Sequence, residues 1–390
     1  MKNILFYNGQ LFMGGIERVA ISYLQGLSRE KDLAVTLVLK ENNLERDVFL
    51  RDVPKNIKIE YIKPQKIIEF RNKAYTKRKN PFWKILYLFM LNYERRYMKN
   101  WLKNYFKNNK IDVTIDFDMS LGKYLDVVNS KKIGWIHFSL IGKKKNKGKA
   151  IRYQKRLKKY DKIVAICDEM KEEAKILFDI PSEKLKRLYN PFDIEKVQRA
   201  AMDFSEISEE DKKYLEKEYM IAVSRLVKGK GREDLIDIYY ELKKKGVKEK
   251  LYVLGEGKEK QNLQNKIDEL KLKEDVFLLG QRKNPYPWMK NAKVFLHTSY
   301  GEGLPTVFLE SMICGTPVIA YDCPTGPKDI LGKNEYGILV KTGDKEGFTE
   351  EVIEFLENFD KKDKYIDKFF KGKISEFSLE TIMKELKEIL

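Results

Sequence analysis

Cysteine and histidine are nearly absent from this sequence. Three cysteines (Cys167, Cys314, Cys323) and two histidines (His137, His297) stand among 390 residues. The cysteines have no metal-ligand spacing and are too few and scattered for a disulfide framework, which points to a reducing compartment. No Ser-His-Asp or Cys-His arrangement is visible, which speaks against a hydrolase. Long apolar runs are missing too. The longest candidate, Ile85–Leu91 (ILYLFML), falls far short of the roughly 20 residues that cross a bilayer. The opening MKNILFYN reads as a lysine followed by a buried strand, too short for the apolar core of a signal peptide and without a cleavage site. A cytoplasmic protein is expected. No solenoid-type repeat is present.

What is present is the composition of a folded chain, 43% hydrophobic and 12% aromatic, long enough for two domains with separate cores. The net charge is +18, and its distribution is uneven. Residues 63–110 hold 14 Lys/Arg against two acids, Glu69 and Glu94, and residues 143–159 hold 10 Lys/Arg and no acid. These two stretches together exceed the total, so the basicity belongs to the N-terminal half.

Short apolar runs alternate with Lys-, Glu- and Leu-rich helical patterns along the whole chain. One series of strands is expected at Ile4–Tyr7, Val35–Leu39, Ile57–Tyr61, Val113–Asp116, Ile133–Ile136 and Ile163–Ile166. A second is expected at Met220–Ser224, Tyr252–Leu254, Val276–Leu279, Val294–His297, Val318–Tyr321 and Ile338–Val340. That alternation predicts an α/β chain with two doubly wound parallel-sheet, Rossmann-like domains. The expected division is 1–195, 196–375, and a C-terminal helix within 376–390 packing back toward the first domain.

The segment Tyr300–Ile319, YGEGLPTVFLESMICGTPVI, sets two glutamates eight residues apart around a proline suited to a helix start. Following a parallel strand, the loop and the helix N-terminus lie where such folds bind ligands. The amide groups of Leu304, Thr306 and Val307 are expected to be free for a phosphate, with Gly301 and Gly303 allowing close backbone approach. Glu302 and Glu310 then suit hydroxyl groups, since a carboxylate accepts hydrogen bonds from a diol. A phosphate site flanked by two hydroxyl-binding carboxylates describes a nucleotide sugar.

The segment SYGEGLPTVFLESMICGTPVIAYDCPTGPKDIL resembles the Glu-x7-Glu signature of retaining GT-B glycosyltransferases of family 4. The resemblance continues in register. MGGIERV (Met13–Val19) is similar to the family's N-terminal glycine loop, IGWIHFSL (Ile133–Leu140) to its Trp-x-His segment, and YNPFD (Tyr189–Asp193) to its interdomain segment. VSRLVKGKG (Val223–Gly231) is similar to its Arg-Leu-x-x-x-Lys-Gly motif and LGEGKEK (Leu254–Lys260) to its Gly-x-Gly turn. The resemblance implies two domains facing across a cleft, with Arg225 and Lys230 on the donor diphosphate. It implies Glu302 on the donor sugar, Glu310 on the ribose, and Gly303, Leu304, Pro305 and Thr306 against the phosphates. Gln281 and Arg282 fall where the family holds the nucleobase, a match that Asn284 and Pro285 extend. Gly14 and Gly15 are implied to approach the donor from the first domain, and His137 to face its sugar. His297 has no fixed role in the pattern and is expected to pack or to make a minor contact. The implied co-substrate is a nucleoside-diphosphate sugar, preferably UDP-linked, with no metal and no other cofactor.

Two motifs are set aside. Asp116-Phe117-Asp118 imitates a metal-chelating Asp-x-Asp but ends a strand far in sequence from the donor signature. Gly255-Glu256-Gly257 lacks the third glycine of a dinucleotide fingerprint and reads as a strand-to-helix turn.

The basic half admits two readings. Pro81–Lys107 carries an apolar and aromatic load with a cationic flank, which suits either a membrane interface or a helix packed on the first domain's core. The implied acceptor is a glycan or polyprenyl-diphosphate-linked molecule on an anionic membrane surface, with the protein peripheral on its inner face. The competing classes are a basic membrane- or nucleic-acid-binding protein with an inactive transferase fold, and a GT-B sugar-nucleotide epimerase. No RNA- or DNA-binding module is recognisable, so no nucleic-acid partner is expected.

Overall fold

The computed structural model describes residues 1–12, 14–43 and 46–390. Met13, at the head of the MGGIERV segment, lies outside them. The chain divides into two compact units. The first comprises Met1–Ile166, Met170–Pro191 and Leu379–Leu390, and the second Cys167–Glu169 and Phe192–Ser378.

The first unit is built on β1 (Lys2–Asn8), β2 (Leu33–Glu41), β3 (Lys58–Lys63), β4 (Val113–Asp116), β5 (Lys131–Ile136), β6 (Lys162–Ala165) and β7 (Leu185–Arg187). Among the described residues they form one parallel sheet in the order β3-β2-β1-β4-β5-β6-β7. The sequence does not announce β7, a three-residue edge strand with one buried apolar side chain, Leu185. The second unit is built on β8 (Tyr219–Val223), β9 (Lys250–Leu254), β10 (Val276–Gly280), β11 (Phe295–His297), β12 (Val318–Asp322) and β13 (Ile338–Lys341). Its strands are also parallel, in the order β10-β9-β8-β11-β12-β13.

Both orders run outward in two directions from a central pair, β1/β4 in one sheet and β8/β11 in the other. That reversal opens a crevice at the carboxyl ends of the central strands, the place where doubly wound sheets hold ligands. Strands buried on both faces need continuous apolar runs, and the central strands have them, from Ile4 to Tyr7 and from Tyr219 to Ala222. The helix Leu379–Lys387 belongs to the first unit, with Met383 packed over Gly26.

The helix Pro81–Asn108 differs between its two halves. Met90, Glu94, Met98 and Leu102 recur every fourth residue and are buried. Toward the N-terminus the side chains turn outward: Phe82, Ile85, Leu88 and Phe89 are 68%, 69%, 53% and 64% exposed. Glu94 is buried against Lys63, at 2.6 Å.

Candidate active site

β8 ends at Val223, and the chain then runs through Arg225 and Lys230 into the helix Arg232–Lys244. β11 ends at His297 and continues into the loop that carries Glu302. Because β8 and β11 are the central pair, these two loops flank one crevice. They are stitched together through two backbone carbonyls. Tyr300 N–H donates to the Gly229 carbonyl at 2.8 Å, and Thr298 Oγ1 donates to the Gly231 carbonyl at 2.7 Å. Gly231 has φ +60°, and a Cβ there would lie 1.8 Å from the Thr298 carbonyl oxygen. Only glycine allows both the turn and the approach.

That stitching brings Lys230 to Glu302. Lys230 Nζ lies 2.6 and 2.7 Å from the two carboxylate oxygens. The same carboxylate accepts a third hydrogen bond, 2.8 Å long, from His297 Nε2. Behind His297 stands Arg232, whose Nη2 is 3.4 Å from Nδ1 and whose Nε donates to Ser224 Oγ at 2.9 Å. His297 and Arg232 are 1% and 4% exposed. Burial would raise the Glu302 carboxyl, but the His297 hydrogen bond and the Lys230 charge overcome it and hold the group at about 2. Burial and the neighbouring cations push His297 down to about 4, so its imidazole is neutral. Arg232 is lowered to about 10 by burial, which still leaves it charged.

His297, expected from the sequence to pack or to make a minor contact, is buried and touches Glu302. Nothing in the sequence singles out Arg232. A spacing of five residues within a loop has no periodicity to reveal a contact, and one arginine is lost among 77 basic residues.

The helix after Glu302 runs Thr306–Ile313, with Pro305 just outside it as N-cap. Thr306 N–H is not free, as expected from the sequence, but donates to the Leu304 carbonyl at 2.8 Å. Pro305, at φ −74° and ψ 82°, makes a tight three-residue turn that takes up this amide. Leu304 and Pro305 are buried, whereas Gly303, Thr306 and Glu310 are half-buried. Glu302 is fixed at its backbone as well, donating to the Pro324 carbonyl at 2.9 Å and accepting from Thr325 Oγ1 at 2.8 Å. Arg225 is exposed and has no carboxylate partner among the described residues. Gln281 is exposed, but the Arg282 side chain is committed, with Nη2 2.7 Å from Asp211 and the guanidinium 5.3 Å from the Trp288 ring centre. Asn284 is spent likewise on the Ala200 and Asp203 carbonyls.

Gly14, Gly15 and His137 belong to the first unit. Gly15 opens the helix Gly15–Leu27, and the Glu17 carboxylate folds over Gly14 so closely that a Cβ there would meet it at 2.3 Å. His137 follows β5, is buried, and donates from Nε2 to the Phe117 carbonyl at 2.7 Å. Burial lowers it to about 4. Asp116 and Asp118 are used by the fold. Asp116 accepts from Tyr160 at 2.5 Å, and Asp118 accepts from the Gly9 and Ser120 amides at 2.9 and 3.0 Å.

Residues 203–371 match the family described as glycosyl transferases group 1. An uncharacterised glycosyltransferase of Methanocaldococcus jannaschii is 29% identical over 304 residues, 67% of this chain and 72% of that protein. The N-acetylgalactosamine-N,N'-diacetylbacillosaminyl-diphospho-undecaprenol 4-alpha-N-acetylgalactosaminyltransferase of Campylobacter jejuni is 34% identical over 181 residues. That stretch is 46% of this chain and spans about half, 47%, of the Campylobacter protein. In fold, the crystal structure of Anabaena HepE in complex with UDP and glucose matches 100% of this chain and 99% of its own, with TM-score 0.74 and 17% identity. By sequence, residues 203–371 carry a glycosyl transferases group 1 segment, and by fold the chain is of the GT-B type.

Proposed function

We propose that the chain is a retaining glycosyltransferase that moves a hexose or N-acetylhexosamine from a nucleoside-diphosphate sugar, UDP-linked by preference. The acceptor is a membrane-associated glycan or polyprenyl-diphosphate-linked molecule in cell-surface polysaccharide synthesis. The observation that carries the reading is the meeting of Lys230 and Glu302 at the switch point of the second sheet, one cation suited to phosphate and one carboxylate suited to sugar hydroxyls. The HepE structure, which holds UDP and glucose, and the name of the Campylobacter relative support the donor and the acceptor class.

The acceptor hydroxyl attacks the anomeric carbon on the face from which the nucleoside diphosphate departs. The bond to the diphosphate oxygen breaks as the new glycosidic bond forms, and the acceptor proton passes to that departing oxygen, so no protein base is assigned. Arg225 and Lys230 meet the leaving charge with the Gly303–Thr306 segment, which does without a metal or cofactor. Glu302 orients the sugar, and Glu310 holds the ribose. Gln281 and Arg282 hold the base through their backbone, and Gly14 and Gly15 approach the donor. His137 is neutral with Nε2–H engaged, which leaves Nδ1 as a lone-pair nitrogen able to favour positive charge at the reacting carbon. The test is a transfer assay with the product's anomeric configuration read by NMR. Lys230→Ala and Glu302→Ala are expected to abolish turnover, EDTA is expected to leave it unchanged, and an inverted product would contradict the reading.

The protein works on the inner face of the cell membrane as a peripheral protein. The outward apolar side chains Phe82, Ile85, Leu88 and Phe89 support this, because they sit in the basic stretch 63–110. Of its two acids, Glu94 is buried in an ion pair, leaving Glu69 as the exposed one. An apolar face within a cationic stretch of chain fits an anionic bilayer. Among the described residues no helix is long and apolar enough to cross it. Cosedimentation with phosphatidylcholine vesicles containing phosphatidylglycerol is expected, with loss in the Phe82→Ser, Ile85→Ser, Phe89→Ser triple variant. Equal sedimentation of the two proteins would contradict it.

A further inference from the structure

We propose that His297 is a positioning residue of the donor site, holding Glu302 in place for the sugar when the donor diphosphate draws Lys230 away. The proposal rests on the donor reading above and adds to it an exchange of partners.

In the structure Lys230 spans both oxygens of Glu302, at 2.6 and 2.7 Å, so cation and carboxylate satisfy one another. Each is also needed elsewhere: Lys230 on a diphosphate, Glu302 on sugar hydroxyls. A single ammonium cannot serve both at full strength, and the greater charge of a diphosphate wins it. When Lys230 leaves, Oε2 loses its partner and becomes the acceptor for a sugar hydroxyl. Oε1 keeps His297, at 2.8 Å. Without that bond the carboxylate would be free to turn about its side-chain torsions, although its backbone is clamped by Pro324 and Thr325.

The direction of the His297 bond is fixed by Arg232. A guanidinium has only donors, so Nδ1, 3.4 Å from Arg232 Nη2, is the accepting nitrogen and Nε2 carries the proton that points at Glu302. Arg232 is itself anchored to Ser224 Oγ. Arg232 thus donates both ways, back to Ser224 Oγ and forward to His297 Nδ1, and His297 in turn donates to Glu302, behind the one side that Lys230 does not need to vacate.

The test measures UDP affinity by calorimetry, and UDP release from whichever of UDP-glucose, UDP-galactose, UDP-N-acetylglucosamine and UDP-N-acetylgalactosamine the wild type turns over. Glu302→Gln removes the competitor for Lys230, so UDP is expected to bind about threefold tighter or more while turnover collapses. His297→Leu is expected to leave UDP affinity within about twofold and lower kcat by about tenfold or more, the loss of one hydrogen bond to a charged group. His297→Gln, whose amide can donate from nearly the same point, is expected to recover much of that kcat. Wild-type kcat in His297→Leu overturns the proposal, as does a His297→Gln variant no better than His297→Leu. Weaker UDP binding in Glu302→Gln overturns the exchange. A wild-type protein that binds no UDP and turns over none of these donors would instead sink the donor reading itself.

Discussion

Lys63 Nζ sits between two glutamates in the first unit, 2.8 Å from Glu41 Oε1 and 2.6 Å from Glu94 Oε2, with all three side chains less than a tenth exposed. Arg71 joins them, 2.7 Å from Glu41. The group ties the helix Pro81–Asn108 to the ends of β2 and β3, and so fixes which of that helix's faces turns outward. Lys63→Met leaves two buried carboxylates short of a partner and is expected to cost roughly 3–5 kcal/mol. Urea unfolding followed by circular dichroism measures it. Adding Glu94→Gln to Lys63→Met should restore part of the loss, and additive losses would show that the two do not act as a pair.

Acid stability is legible because the chain has only two histidines and both are buried neutral, each lowered from 6.5 to about 4 by burial first of all. Between those values the unfolded chain binds protons that the folded chain refuses. Stability is therefore expected to fall as pH drops from about 6.5 to about 4, by up to roughly 3 kcal/mol for each histidine. Asp116, raised by burial and by Asp118, works in the opposite sense in every variant. The urea midpoint at pH 7 and at pH 5 should fall less in His297→Gln than in wild type. An identical fall in both would show that His297 is protonated in the folded state.

Gly231→Ala forces a left-handed residue to carry a Cβ against the Thr298 carbonyl, 1.8 Å away. The two loops must then part, which separates Lys230 from Glu302. A stability loss of about 1–3 kcal/mol is expected, together with loss of UDP binding. Unchanged UDP affinity would mean that the stitching of the loops does not shape the site.

Arg225, exposed and without a carboxylate partner among the described residues, is expected to contribute to the leaving charge without contributing to the fold. Arg225→Ala should lower kcat by about tenfold or more while the melting temperature stays within about 2 °C. A variant with wild-type kcat would remove Arg225 from the donor site.

Much of this architecture is written in the sequence, because parallel strands buried on both faces leave continuous apolar runs between helical patterns. The motif residues Lys230 and Glu302 could each be placed in a loop after a strand, but that the two strands are neighbours and the two side chains meet is seen only in the structure. What the sequence conceals is how a loop folds back on itself. His297 and Glu302 meet because the backbone reverses between them, Thr306 N–H is consumed by the turn at Pro305, and Arg232 is buried where the chain leaves Gly231. The helix Pro81–Asn108 shows a different limit. Its apolar residues are plain, but the buried stripe Met90–Leu102 and the outward group Phe82–Phe89 are distinguished only once the sheet beneath them exists.

The central claim is that the second unit holds a nucleotide sugar between Lys230, Glu302 and Glu310. The most direct measurement is a calorimetric titration of the wild type and of Glu310→Ala with UDP-, GDP-, ADP- and TDP-sugars, with and without EDTA. The expected result is binding of one nucleotide series, the UDP-sugars, unaffected by EDTA and lost in Glu310→Ala. Binding of none of them, or equal binding by the variant, would contradict it.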